Sequence, residues 1–400
     1  MMNPLLNTIK RELRRAYHHP RYLILLTLGI VFSYVFFITL MQEGQPERLP
    51  IAIVDHDGSY LSRRLCHELN ATQGVKVIAV YDNHAEARKA MQRQEIFAFM
   101  EIPRHTFSNM LDFKRPHISI YSNNAYLLAG SLSYKQLATM GKLASAAVHR
   151  EILRKKGLSE DKIMGIIQPI EFDTHLISNP TANYQPYVLT TILPGIIALM
   201  VLLFTSYQVT LEQKEKTAAA WLEGANGNLL VALFGKLLPY TFWFSILGIL
   251  GNIVFFGPCH YTMLGSFSLL SIDMILLVVA AQSMGVFLSG LIPDMHLAVC
   301  VSAIYGALSF SMSGFSYPVC SMVPAMQAFS YIFPLRHYYL AYSEIALYGD
   351  GIEQCWIHFC ILLSMNIIGL LGTLLMERQR NTQYAVNHIN AKETSPQNTK

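Results

Sequence analysis

Charge is scarce in this chain of 400 residues. Asp, Glu, Lys and Arg make up 14% of it, against 52% hydrophobic residues. Soluble domains carry about 25% charged residues, so composition excludes an ordinary soluble protein and points to the membrane. The formal net charge of +4 is too small to point to nucleic acid; the basic residues matter through where they sit. Cysteine is sparse too. Cys66, Cys259, Cys300, Cys320, Cys355 and Cys360 form no C-x-x-C pair, which excludes the usual zinc and redox motifs. They read as small hydrophobes in or near the membrane. A Cys320–Cys355 disulfide stays open, because both could fall on one side of the bilayer. A phosphate-binding loop is also missing. Gly235-Lys236 is followed by Leu237 and Gly141-Lys142 by Leu143, so neither completes G-x-x-x-x-G-K-[ST]. No nucleophile–base set and no metal-ligand set stands out, so no catalytic residue, metal or cofactor is assigned to this chain. His56, between Asp55 and Asp57 in D-H-D-G, reads as a turn, with a metal site as the lesser alternative.

What is abundant is long apolar runs. A span needs about 20 such residues to cross ~30 Å of hydrocarbon. Six stretches qualify or nearly do: 22–41, 188–209, 229–256, 263–291, 297–315 and 355–376. The first is as long as a span and lacks a clear A-x-A site after it, so it reads as a span rather than a cleavable signal. Residues 4–18 precede it. Leu5, Leu6, Ile9, Leu13 and Tyr17 recur at helical spacing, with Lys10, Arg11, Arg14 and Arg15 on the other side. This predicts a basic amphipathic helix at the membrane surface, in contact with lipid. Its basic cluster sets the N-terminus in the cytoplasm. Residues 42–187 are too polar to cross again. Apolar runs at 50–54, 75–80, 96–102 and 117–121 alternate with helical patterns at 59–69 and 85–94, then a long one at 125–156; 169–177 reads as a last strand. The expected fold is a polytopic α-helical membrane protein with six spans and an α/β extracytoplasmic domain inserted between spans 1 and 2. Residues 316–354 are an external stretch too broken by proline to span, read as helices dipping into the outer leaflet. From 377 to 400 the chain is a polar, disordered cytoplasmic tail.

The stretch from Glu212 to Tyr240 organises the rest. It places a charged helical segment, 210–228, between two apolar runs, and so at one face of the bilayer where a soluble partner can push on it. Glu212, Glu215 and Thr217 are expected to cap and orient that helix from its N-terminus. Trp221 and Leu222 are expected to fill a groove on the partner. Lys236, two turns into the third span, reads either as snorkelling to the headgroups or as functional. Asp273, a carboxylate in the fourth span, and Arg336 and His337, in the external stretch, are candidates for a pathway or outer gate; the alternatives are that Asp273 lies at the outer interface and that Arg336 and His337 anchor the external stretch at headgroup level. The path itself is placed between two copies of the second and fifth spans, with Ile197, Leu203, Ser302 and Ser309 as loose candidates.

Four stretches together resemble the ABC-2 type permeases, the membrane subunits of ABC exporters: Ser178–Gly195, the organising stretch, Ser313–Pro324, and Ile332–Tyr339 followed by Gly349. In the second, Glu212, Glu215, Lys216 and Thr217 match, as do Gly235, Lys236, Pro239 and Tyr240; Lys216 stands where the family usually has Gly. The resemblance implies a permease of the type V exporter fold that works as a homodimer or a heterodimer with a similar permease. It implies a separate ABC ATPase subunit that uses ATP and Mg. The large external domain resembles that of Gram-negative multidrug efflux permeases of the inner membrane, which implies a periplasmic adaptor and an outer-membrane channel. The expected cargo is an amphiphile: drug-like, lipid-linked or a peptide. A non-transporting receptor or scaffold that presents the external domain is the alternative; it predicts no ATPase partner.

Overall fold

The computed structural model describes residues 4–112, 114–175, 177–179 and 183–393, with side chains as far as 379. It divides into two compact units, Met1–Gln42 with Leu176–Lys400, and Glu43–His175. The first begins with α1 (Pro4–His18) and α2 (Arg21–Leu40).

The second unit follows in the chain. It runs β1 (Leu49–Asp55), α3 (Tyr60–Ala71), β2 (Val75–Tyr81), α4 (His84–Gln92), β3 (Ala98–Ile102), α5 (Thr106–Leu111), β4 (Ser119–Ser122), α6 (Leu127–Lys155) and α7 (Glu160–Ile167). The four strands form one sheet in the order β2-β1-β3-β4, with β4 alone antiparallel. Strand β1 is central and covered on both faces, which is why it reads as an unbroken apolar run. Alternate side chains serve the two layers. Ile51 and Ile53 pack with Leu65, Leu69 and Leu137; Ala52 and Val54 pack with Ala87, Ala90 and Phe99. The D-H-D-G segment is a turn: Asp55 Oδ1 accepts from the Asp57 and Gly58 amides, both at 3.0 Å. The strand expected over 169–177 does not form in the described residues there. Ile170, Phe172 and Ile177 are exposed, and no edge of the sheet pairs with them. Leu176 lies outside the described residues, as do 180–182 of the Ser178–Gly195 stretch.

The helical unit resumes with α8 (Tyr184–Lys214), α9 (Ala218–Gly224), α10 (Leu229–Phe256), α11 (Phe267–Leu291), α12 (Met295–Met312), α13 (Pro324–Ser330), α14 (Pro334–Tyr342) and α15 (Ile352–Glu393). Among the described residues six helices are long and apolar enough to cross a membrane: α2, α8, α10, α11, α12 and α15 to Gln379. Helices α8 and α11 are each about two-thirds buried in the chain, at 67%, whereas α2 is only 6% buried, so α2 is peripheral. Between α12 and α15 the expected broken stretch is a set of short helices, including a 3-10 turn at Val319–Ser321 and a π turn at Ser343–Tyr348. The disordered tail expected from 377 is corrected: α15 continues to Glu393, through residues that hold neither Gly nor Pro to stop a helix. Residues 394–400 lie outside the described residues. Cys320 and Cys355 are both free thiols, the first exposed and the second buried.

Helices α11 and α15 cross closely at glycines. A Cβ at Gly290 would overlap the Gly372 backbone, and one at Gly372 would overlap Phe287. Small residues let helix backbones approach this way where lipid removes the hydrophobic drive between helices. Gly372→Leu is therefore expected to force the pair apart and cost about 1–3 kcal/mol, as overpacking does. A thermal midpoint in mild detergent that falls by several degrees supports this; one unchanged from wild type refutes the close crossing.

Candidate functional site

The site is a charged junction where α1, the end of α8, α9 and the start of α10 meet. It follows from how α8 stops. Its last turn closes in a Schellman motif: the Thr217 amide bonds the Glu212 carbonyl at 3.0 Å and the Lys216 amide bonds the Gln213 carbonyl at 3.2 Å. That motif needs one residue in the left-handed region, and Lys216 takes it at φ +57°. Glycine adopts such a φ without strain, so Lys216 stands where a glycine would be at ease. Helix α9 then lasts only seven residues and ends in the same way. Gly227 N bonds Leu222 O at 2.8 Å and Asn226 N bonds Glu223 O at 3.1 Å, with Asn226 at φ +55°. Asn228 at once caps α10, its Oδ1 accepting from Leu230 N and Val231 N.

Two expectations are corrected by this geometry. Glu212 belongs to the last turn of α8, and Glu215 is its C-cap, so both stand at a helix C-terminus rather than at the start of the coupling helix. The dipole disfavours anions there by about 0.3–1 kcal/mol each, and cations have to offset it. Thr217 does occupy the N-cap position of α9, but its hydroxyl caps nothing. It donates to Glu212 Oε2 at 2.5 Å.

Glu212 is wholly buried and is the hub. Its Oε1 accepts from Arg15 Nη1 at 2.6 Å and Lys236 Nζ at 2.6 Å; its Oε2 accepts from Arg11 Nη2 at 2.9 Å. Arg15 spends its second arm on Glu215 at 2.6 Å. Lys236 also lies 3.4 Å from Glu12, whose other oxygen accepts from the Tyr240 hydroxyl at 3.4 Å. Three cations (Arg11, Arg15, Lys236) thus meet three anions (Glu12, Glu212, Glu215), and the junction is neutral. Snorkelling is therefore not the role of Lys236: it is fully buried, with its ammonium 5.2 Å from the Trp221 ring.

The N-terminal helix lies differently from the expectation too. Arg11 and Arg15 do not face away from the protein. They turn onto α8, and the buried face of α1 carries Thr8 and Glu12. Leu6, Leu13 and Tyr17 form the open apolar flank, and Lys10 and Arg14 are exposed. Gly235 lets α1 sit down on α10, since a Cβ there would overlap the Thr8 side chain. Gly235, Lys236 and Tyr240, singled out by pattern, are thus one docking strip for α1. Glu12 was not singled out. The signal available was a lone acid in a basic helix, matched by a lone base in an apolar span.

Trp221 is corrected as well. It is 4% exposed and packs with Val209, Leu229, Leu233, Val286 and Met376, its indole N–H donating to the Ala232 carbonyl at 3.3 Å. It holds α9 to the spans and cannot fill a groove elsewhere. Leu222 is half-buried beside it, and Ala219, Ala220 and Glu223 form the open face of α9.

The other candidates do not join this junction. Asp273 is fully buried in α11, and neither carboxyl oxygen has a donor. Arg336 stacks over the Tyr331 ring at 4.8 Å. His337 is buried, with Nε2 3.0 Å from the Tyr331 carbonyl. Burial, with His358 and Arg336 adding to it, holds its imidazole down at about 4 in spite of that bond. It is neutral near pH 7, so it is not the surface cation that an anionic ligand would meet. Ile197, Ser302 and Ser309 are buried inside the chain, Ser302 at 2.7 Å from Ser206. Those faces of α8 and α12 pack on each other and do not line a path between copies; only Leu203 is half-open. Among the described residues no group of three or more His, Cys, Asp and Glu could hold a metal.

Residues 21–375 match the sequence profile of a family described as ABC-2 family transporter protein. The chain belongs to that family. It is also similar to the probable multidrug ABC transporter permease YbhR of Escherichia coli K12, and equally to that of strain O157:H7, at 20% identity over 368 residues. The similarity covers 89% of this chain and 93% of each relative. The protein is thus a multi-pass ABC-2 permease, a transport subunit rather than an enzyme.

Removing one partner from a buried ion set leaves a charge unpaired and costs about 3–5 kcal/mol. Glu212→Leu in this permease is expected to lose about that much and to lower the thermal midpoint in detergent. Lys236→Met added to it should recover part of the loss, since one stranded cation goes with it. A double variant less stable than the single one would contradict the neutral-junction account.

Proposed function

We propose that this permease is the membrane half of an ATP-driven exporter and that the α8–α9–α10 junction receives the stroke of a separate ATPase. The observation that carries the reading is the neutral charge set with Glu12, Glu212 and Lys236 fully buried at its centre. It ties the α8–α10 link to two spans and to α1, so a push on α9 moves helices rather than bending a loop. The contact face is then the open side of α9, Ala219, Ala220 and Glu223, with the exposed turn at 213–216 beside it. The charged core behind it acts as the rigid backing. ATP and Mg belong to the ATPase, and this chain supplies no nucleotide site of the phosphate-loop kind.

In this reading the junction and both termini are cytoplasmic, because basic residues cluster before α2 and no acid occurs between Leu13 and Gln42. The sheet-bearing unit, inserted between α2 and α8, then lies outside the inner membrane. Two permease chains form the path. The cargo is an amphiphile, as the name of the multidrug relative suggests, and a periplasmic adaptor with an outer-membrane channel would continue the route.

The test is affinity purification from gently solubilised membranes, with partners identified by mass spectrometry. Wild type should bring down an ATPase subunit. Glu223→Lys with Ala219→Arg should lose it at unchanged permease level, because both positions are open. Glu212→Leu should keep the ATPase in the fraction that folds but lose transport-linked ATP hydrolysis. If wild type recovers no ATPase under any mild condition, the exporter reading fails and a receptor role for the sheet-bearing unit takes its place.

A further inference from the structure

A second polar feature adjoins the junction and shares Arg15 and Glu215 with it. Where α1 passes into α2, a cleft of about 410 Å³ opens between α1, α2, α8 and α10. Arg15, His19, Arg21, Tyr22, Gln208 and Glu215 supply its polar wall; Leu25, Phe204 and Leu211 supply its apolar one. Arg15 is spent on Glu215 and on Glu212. Arg21 is exposed and forms no ion pair among the described residues. Gln208 is 7% exposed, lines the cleft, and its Oε1 has no donor. A buried acceptor left unpaired is costly, so a donor there would be stabilising.

The place fixes the kind of ligand. Arg21 opens the most lipid-exposed of the six candidate spans, and Tyr22 packs against Tyr207 with ring centroids 5.1 Å apart, a pair suited to the headgroup level. Above it the wall turns apolar through Leu25, which is exposed. A basic, half-open cleft that is polar at the end of a span and apolar along it matches a phospholipid seated headgroup-first.

We propose that this cleft binds one membrane phospholipid whose head carries both a phosphate and a hydrogen-bond donor, an ethanolamine or a glycerol head. Arg21, with His19 beside it, holds the phosphate. Gln208 Oε1 accepts from the ammonium or hydroxyl of the head. An acyl chain lies along Leu25. Phosphatidylcholine offers the phosphate without the donor and binds more weakly. The proposal needs only the membrane reading of α2, not the transport reading, so it can fail or stand apart from the ATPase test.

The experiment places a photoreactive benzoylphenylalanine at Leu25, or at Phe32 two turns further along α2, in the full-length protein. Nanodiscs hold equal parts of phosphatidylethanolamine, phosphatidylglycerol and phosphatidylcholine, and adducts are weighed by mass spectrometry. At position 25 the first two lipids should exceed their bulk share over phosphatidylcholine by threefold or more. At position 32 the adducts should follow the bulk. Arg21→Gln and Gln208→Leu should each abolish the enrichment at 25. Glycerol phosphate at millimolar concentration should not compete. Adducts at 25 that match the bulk, or an enrichment untouched by both variants, would overturn the proposal. So would competition by the soluble phosphate ester, which would make the ligand a free phosphate. A covalent dimer in place of lipid adducts would show that a second copy fills the cleft, and would overturn it too.

Discussion

The buried pairing of Glu212 with Arg11, Arg15 and Lys236 is the constraint on which the rest of this junction depends. A carboxylate cannot stay charged away from water unless its lone pairs are filled. Here the donors come from three parts of the chain: α1 gives two, α10 gives one, and the turn after α8 gives Thr217. One side chain therefore fixes the positions of four elements at once. Glu12, Lys236 and Tyr240 repeat the arrangement one turn deeper. Because positive and negative groups are equal in number, the set is neutral as a whole, and removing Glu212 or Lys236 from its buried centre strands another charge.

The shortness of α9 belongs to the same design. Two left-handed residues, Lys216 and Asn226, end α8 and α9 by the same motif, and Asn228 restarts the chain as α10. There is little slack between the spans. Trp221 closes the link by packing its ring on Leu229 and Met376. A force applied to the open side of α9 meets helix ends, an indole and an ion set, none of which yields by simple rotation. This is what a lever between a soluble motor and membrane helices requires.

Much of the fold could be read directly. Span positions depend on summed hydropathy over about 20 residues, and an unbroken apolar run such as Ile51–Val54 marks a covered parallel strand. The junction could be read only in part. The residues were visible as a pattern, but their roles were reversed. Glu212 looked like an N-terminal cap and Trp221 like an outward contact, because sequence shows that a residue is charged or aromatic, not which way it turns. The reversal has a local cause: α8 runs past the expected end of its apolar stretch to Lys214, which carries Glu212 into the helix and turns it inward. Partners 24 to 201 positions away, such as Lys236 and Arg11, have no signature in local spacing. Ile170 and Phe172 misled in the opposite sense. They are apolar enough for a strand, but a strand forms only where an edge accepts it.

It remains to ask why charges rather than leucines hold α1 to α10. Between membrane helices apolar contact is a weak guide, because lipid tails are as apolar as leucine and little is gained by exchanging one for the other. Such a contact also tolerates sliding by a turn. An ion set does not. Displacing α1 by one turn would bring Arg15 to the level of Arg11 and leave Glu12 facing hydrocarbon without Lys236, at a cost of several kcal/mol. Gly235 adds the steric half of the same rule, since only there can Thr8 come close. The charges therefore serve register more than strength. A helix held in one register at the mouth of the spans can pass on movement, whereas one held by grease alone would absorb it.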